Sequence, residues 1–219
     1  GTVTIDTNFN PANANSNGIL GTSGAGNRTV NVTLGTPSNS FNTLSLGGTG
    51  TTTFAAGSGK QYISTLSFNG AAASKATFAA GAVFGSIINF TADGQALTFK
   101  NDVTFTPVGY GSNYYGAVSF FGHDASITFD STSNNITVSG AIVGGGDSGG
   151  GYTVGTRGTI NITGGNTVTF NDHLGGVAVG DARLSAVNVA DGSNVVFGQD
   201  ATYSSSINAI NLSGSANAT

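Results

Sequence analysis

The chain has 219 residues and a formal net charge of −4, from six Lys or Arg set against ten Asp, with no Glu, Cys, Met or Trp. Gly (36), Thr (29), Ser (24) and Asn (23) supply about half of it, which leaves too few strong helix formers for a helical bundle, a coiled coil or a helix-rich α/β enzyme. Only 7% of residues are charged and no basic excess exists, so the footprint that a nucleic-acid backbone demands is missing and no nucleic-acid partner is expected.

A Gly/Ser/Asn/Thr-rich chain first suggests disorder, but disordered chains pair low hydrophobicity with high net charge and few aromatics. This one is 38% apolar and carries 14 Phe and 6 Tyr. It has enough apolar material to bury a core. The segment 1–28, with NFNPANANSNG, holds few apolar positions and is expected to form an N-terminal arm or cap, leaving 29–219 as the folded domain.

Short β-prone runs then follow in chain order: 29–34 (TVNVTL), 41–46 (FNTLSL), 62–68 (YISTLSF), 95–99 (QALTF), 125–129 (ASITF), 135–138 (NITV), 159–162 (TINI), 167–170 (TVTF) and 186–189 (AVNV). Most alternate apolar residues with Thr, Ser or Asn at period two, as strands with one buried face do. Gly, Asn and Asp clusters separate them as turns.

Phe recurs after Thr or Ser at the ends of these runs, at Phe54, Phe68, Phe78, Phe99, Phe105, Phe120, Phe129 and Phe170. Phe78, Phe99 and Phe120 follow one another at equal intervals, and Phe68 and Phe90 are separated by nearly the same one. That period predicts an all-β fold, a parallel β-helix (β-solenoid) of about ten coils at roughly 22 residues each, a rod of roughly 50 Å at about 4.8 Å per coil. The alternative is an antiparallel β-sandwich or jelly roll, whose short strands and polar turns look similar. Its hairpin signals are sparse: Asn17-Gly18 and Asn69-Gly70 are present, without a regular series of two-residue turns.

Several motifs resemble chemistry and fail on mechanism. Residues 146–150 read GDSGG, the local signature around a trypsin-like serine nucleophile. A Ser needs a His base oriented by a buried Asp, and only His123 precedes Ser148, in FFGHD, so a turn is the expected reading. Gly144, Gly146 and Gly149 have GxGxxG spacing but no helical pattern follows, so a dinucleotide site is not expected. The two His, His123 and His173, are far apart in sequence and Cys is absent, which predicts no transition-metal site and no cofactor. The Asp residues are scattered singly, as turn chemistry scatters them; a carboxylate pair for glycan cleavage would have to form across coils. Seven Asn-x-Ser/Thr sequons, at Asn27, Asn31, Asn89, Asn135, Asn161, Asn211 and Asn217, are what so Asn- and Thr-rich a chain supplies by composition.

The candidate binding residues are Tyr110, Tyr114 and Tyr115, in YGSNYY between two strand-like runs. Three Tyr in a Gly-containing loop offer rigid amphipathic area for a glycan or a protein, although one or two of them folding back onto the core would look the same in sequence.

The stretches NVTLGTPSNSFNTLSLGGTGTTTF, GAAASKATFAAGAVFGSIINFTADGQALTFKNDVTF and GTINITGGNTVTFND, within residues 29–200, resemble passenger regions of bacterial autotransporter surface antigens and adhesins of the rickettsial outer-membrane type. The resemblance implies export unfolded, folding outside into a β-solenoid, and service as an adhesin or surface coat; it carries over no catalytic residues. The chain opens at Gly1, has no Met and contains no long apolar run, which suits a mature, processed piece at the bacterial surface or outside the cell, not itself inserted in a membrane. The expected role is therefore a non-enzymatic extracellular surface protein that contacts a host or neighbouring-cell protein or glycan. The alternatives are a self-assembling S-layer or filament subunit that binds further copies of itself, and a polysaccharide-acting β-helix enzyme.

Overall fold

A computed structural model describes residues 3–5, 18–69, 73–106, 108–110, 113–115, 118–120, 122–143, 157–175, 183–198 and 207–219. The chain winds as a succession of short strands into a parallel β-solenoid of about six full turns. One 3₁₀ turn, Ala56–Ser58, is the only helical element among the described residues.

Three faces make up the wall. The first stacks nine parallel strands, from Val3–Ile5 and Arg28–Val30 through Thr51–Phe54, Lys75–Phe78, Ala96–Phe99, Ser126–Asp130, Arg157–Thr163 and Leu184–Val189 to Ile210–Leu212. The second face begins with Ile19–Thr22, Phe41–Gly47 and the nine-residue strand Gln61–Asn69. That long strand pairs through Gln61, Tyr62 and Ile63 with Ala82–Phe84, and through Leu66 and Ser67 with Ile88–Asn89. The sheet divides there. The second face continues through Val103–Phe105, Ile136–Ser139, Thr167–Phe170 and Asn194–Phe197 to Asn217–Ala218, and the third runs through Val118–Ser119 and Ile142–Val143 to a bridge at Leu174.

All of these pairings are parallel, which excludes the sandwich and jelly roll. The coil count is a correction: the solenoid makes about six full turns, not about ten. Rungs on the first face are unequally spaced along the chain, closely at Phe78 to Phe99 and much more widely at Phe129 to Ile162. Within the segment 1–28, Val3–Ile5 pairs with Arg28–Val30, and residues 6–17 lie outside the described residues.

Period-two burial within each strand explains the packing. On the first face Val30, Phe54, Phe78, Phe99, Phe129, Ile162 and Val189 occupy one inward column. Phe54 and Phe78 stack at 4.3 Å, and Phe99 stacks between Phe78 and Phe129 at 5.6 and 5.7 Å. A second aromatic ladder, Phe68, Phe90 and Phe120, lines the third face with ring centroids 5.1 Å apart. Phe120 thus belongs to a different ladder from Phe78 and Phe99, and their equal spacing in sequence is not one column. Each offset or edge-on ring pair adds about 0.5–1.5 kcal/mol beyond area burial.

Buried polar side chains close the corners. Gln61, wholly buried, accepts from the Leu34 N–H at 2.8 Å and donates to Gly59 O and Ser58 Oγ at 2.9 Å. Gln95, equally buried, accepts from the Thr91 N–H at 2.8 Å. Turn backbone that no strand ladder can reach is satisfied this way.

Candidate interaction surface

One coil departs from the parallel rule. Between Val103–Phe105 on the second face and Val118–Ser119 on the third, the chain makes a two-stranded antiparallel hairpin, Val108–Tyr110 with Asn113–Tyr115. The wall is held on both sides of it. Thr106 N–H donates to Phe84 O at 2.9 Å, and Val118 pairs with both Ile88 and Ile142. Val and Tyr favour extended backbone and the intervening Gly-Ser permits a reversal, so the segment read as a loop is a hairpin. Tyr110 pairs with Asn113, Tyr114 with Gly109 and Tyr115 with Val108; all three candidate tyrosines therefore sit in the hairpin's two strands.

The outer surface of the first face is a second ordered feature. Thr29, Thr53, Thr77, Thr98, Thr128, Asn161, Asn188 and Asn211 align rung upon rung. The last three form an amide ladder: Asn211 Nδ2 donates to Asn188 Oδ1 at 2.8 Å and Asn188 Nδ2 to Asn161 Oδ1 at 3.0 Å. Thr-Phe endings are visible in the sequence, but their vertical alignment depends on how long each intervening loop is.

Charged groups meet between coils. Asp124 N–H donates to Asp93 Oδ1 at 2.8 Å, His123 Nδ1 lies 3.5 Å from the same oxygen, and the Asp124 carboxylate pairs with Arg157 at 3.0 Å. The Asp124 amide, with His123 and Arg157 beyond it, holds the Asp93 carboxyl below its ordinary value. Lys100 pairs with Asp130 at 2.9 Å. Partial burial raises the Asp130 pKa, but the Thr132 hydroxyl and Lys100 outweigh it and the net shift is downward. Asp191 is lowered by the N–H and hydroxyl of Ser215 in the next coil. His173 is buried with Nδ1 2.7 Å from Asp172 Oδ1.

Asp93, Asp124, Asp130 and Asp191 each stand alone in the sequence; stacking of the coils gives each a partner, a cation or a backbone N–H and not a second carboxylate. Asn27 and Asn135, both in sequons, likewise accept from the Thr51 and Thr167 N–H groups of the following coils at 3.0 Å. No group of three or more His, Cys, Asp or Glu is placed to hold a metal among the described residues. No helix among them is long and apolar enough to cross a membrane. Ser148 and the rest of GDSGG, with Gly144, Gly146 and Gly149, lie outside the described residues.

No protein-family model matches the chain, and no curated protein or solved structure matches it either.

Proposed function

We propose that this protein is a non-enzymatic adhesin of the autotransporter-passenger kind, displayed outside the cell or on a bacterial surface. The solenoid serves as a stiff mount for the tyrosine hairpin, which makes the contact. The observation that carries the reading is the antiparallel hairpin of Val108–Tyr110 and Asn113–Tyr115 let into one coil of an otherwise parallel rod. Binding residues concentrate on such insertions because a rigid scaffold positions them while their sequence is free of packing demands. Tyr adds the rest: a flat apolar ring that stacks on a sugar face or a protein surface, with a hydroxyl that stays hydrated at the rim.

The sparsely charged outer face and the engagement of Asp93, Asp124 and Asp130 with cations of their own or adjacent coils fit a contact surface better than a hydrolytic centre. A hydrolase needs one carboxyl held neutral as an acid, with its pKa raised; Asp93, Asp130 and Asp191 are all shifted the other way.

The test is binding of the purified chain to a glycan array and to intact cells, with Tyr110→Ala, Tyr114→Ala and Tyr115→Ala combined. The expected result is a loss of at least about tenfold in affinity, about 1.4 kcal/mol, with circular dichroism unchanged. Binding that is unaltered by the triple change overturns the hairpin as the contact. Glycan cleavage that disappears in Asp93→Asn would replace the adhesin reading with an enzymatic one.

A further inference from the structure

The register of the tyrosine hairpin divides its residues between two faces. Residues directly opposite one another in an antiparallel pair share a face, and successive residues along a strand alternate. Tyr110 is opposite Asn113 and Val108 is opposite Tyr115, so these four share one face, while Gly109 and Tyr114, opposite one another, hold the other. Tyr110 and Tyr115 are diagonal neighbours on their face, a relation that sets backbone positions about 7–8 Å apart. The three tyrosines are therefore not equivalent. Two lie on a face that also carries an amide, and the third is opposite a glycine.

The corner that carries the hairpin is longer than its task requires. In the coil before, residues 85–87 suffice to join Ala82–Phe84 to Ile88–Asn89, and in the coil after, residues 140–141 join Ile136–Ser139 to Ile142–Val143. The same join in the hairpin's own coil takes residues 106–117. Its neighbours along the rod at this corner are small and uncharged, Gly85 and Ser86 in one coil and Gly140 and Ala141 in the other. The sequence itself holds no Asp, Lys, Arg or His from Val103 to Gly122.

Charge and chain geometry select among partners. A ligand bearing sulfate, phosphate or carboxylate needs cations to replace its hydration; the sequence of this corner supplies none, and the chain as a whole carries −4. An extended peptide that adds to a strand edge draws its affinity from main-chain bonds. Each hairpin strand has only three residues, and Pro107, directly before Val108, brings no N–H, so these edges offer such a peptide little. A neutral glycan asks for what the Tyr110 face holds: aromatic rings for the apolar side of a sugar, and an amide that both donates to and accepts from hydroxyls.

Resting on the hairpin as the contact, we propose that the face of Tyr110, Asn113 and Tyr115 binds a neutral glycan of at least two linked sugars. Tyr110 and Tyr115 each take one ring, Asn113 takes the hydroxyls, and Tyr114 has no part in the contact.

The 219-residue chain is applied to an array of neutral hexose and N-acetylhexosamine monosaccharides and oligomers beside sialylated and sulfated forms, at about 0.05 M and about 0.5 M salt. Neutral oligomers should bind at least about tenfold more tightly than the matching monosaccharides, with less than about a twofold change between the two salts. Tyr110→Ala, Asn113→Ala and Tyr115→Ala should each weaken binding at least about tenfold with circular dichroism unchanged, and Tyr114→Ala less than about twofold. Tyr110→Phe and Tyr115→Phe keep the rings and should stay within about threefold of the parent chain. A loss in Tyr114→Ala equal to the others overturns the chosen face and leaves the hairpin as the contact. Preference for sialylated or sulfated forms, or binding to no glycan on the array, overturns the glycan class. Binding unchanged in all four alanine variants overturns the hairpin itself.

Discussion

Gly158 lies in the strand Arg157–Thr163 with φ +73°, and a Cβ built on it would lie well inside van der Waals contact of three atoms of the Phe120 ring. That ring is fully buried and stacked on Phe90 at 5.1 Å with an interplanar angle of 6°, so it cannot swing away without breaking the third-face ladder. Gly158→Ala therefore combines two costs. Left-handed backbone for an L-residue is worth about 1–2 kcal/mol, and forcing volume into a filled core about 1–3 kcal/mol, giving about 2–5 kcal/mol in all. Urea denaturation followed by circular dichroism measures this as a lower midpoint at unchanged slope. The steric part is isolated by a double-mutant cycle. Phe120→Ala alone should cost about 3–5 kcal/mol, but in that background Gly158→Ala should cost only its backbone share. The double variant should then be more stable than the sum of the singles by about 1–3 kcal/mol. Gly165→Ala is the control, since an added Cβ there meets nothing within 4 Å. Costs that add to within about 0.5 kcal/mol, or an effect at Gly165 equal to that at Gly158, would refute the reasoning.

Gln61→Leu keeps the side-chain volume but orphans the Leu34 N–H that Gln61 accepts at 2.8 Å; it should cost about 1–3 kcal/mol in the same denaturation assay, whereas exposed Asn69 changed to Ala should cost far less. Asn188→Asp replaces the Nδ2 that reaches Asn161 Oδ1 at 3.0 Å with an oxygen, and opposing acceptors should lower the urea midpoint at neutral pH and restore part of it as the new carboxyl is protonated. Asp191 is held below its ordinary value of 3.8 chiefly by the Ser215 N–H, then by the Ser215 hydroxyl. Its folded pKa being depressed, its contribution is complete above the unfolded value and is lost as pH falls through the folded one. NMR titration should find its midpoint below 3.8, rising part of the way towards that value in Ser215→Ala, which removes the hydroxyl and keeps the N–H; a midpoint that does not move would remove the hydroxyl as a cause.

Much of the wall was legible in the chain itself. Period-two alternation in FNTLSL, TVTF and AVNV became strands with buried Leu44, Leu46, Val168, Phe170, Val187 and Val189, because a pleated strand sends successive side chains to opposite faces whatever lies beyond it. The recurring Phe announced stacked coils for the same reason. The shortest strands leave no pattern in the sequence: Ile88–Asn89 and Ile142–Val143 have two residues each, too few for a period to register, and tertiary pairing alone makes them strands.

Tertiary structure decided everything that depends on the lengths of loops. It assigned Phe120 to the third face and Phe99 to the first, brought Asp93 to Asp124 and Asp130 to Lys100, and folded the tyrosine segment into a hairpin. Register across coils is set where each corner lets the chain rejoin the wall. A sequence of small polar residues determined that this protein is β-structured, sparsely charged and poor in catalytic side chains; which residues stand one above another was fixed only when coils of unequal length were stacked on a common core.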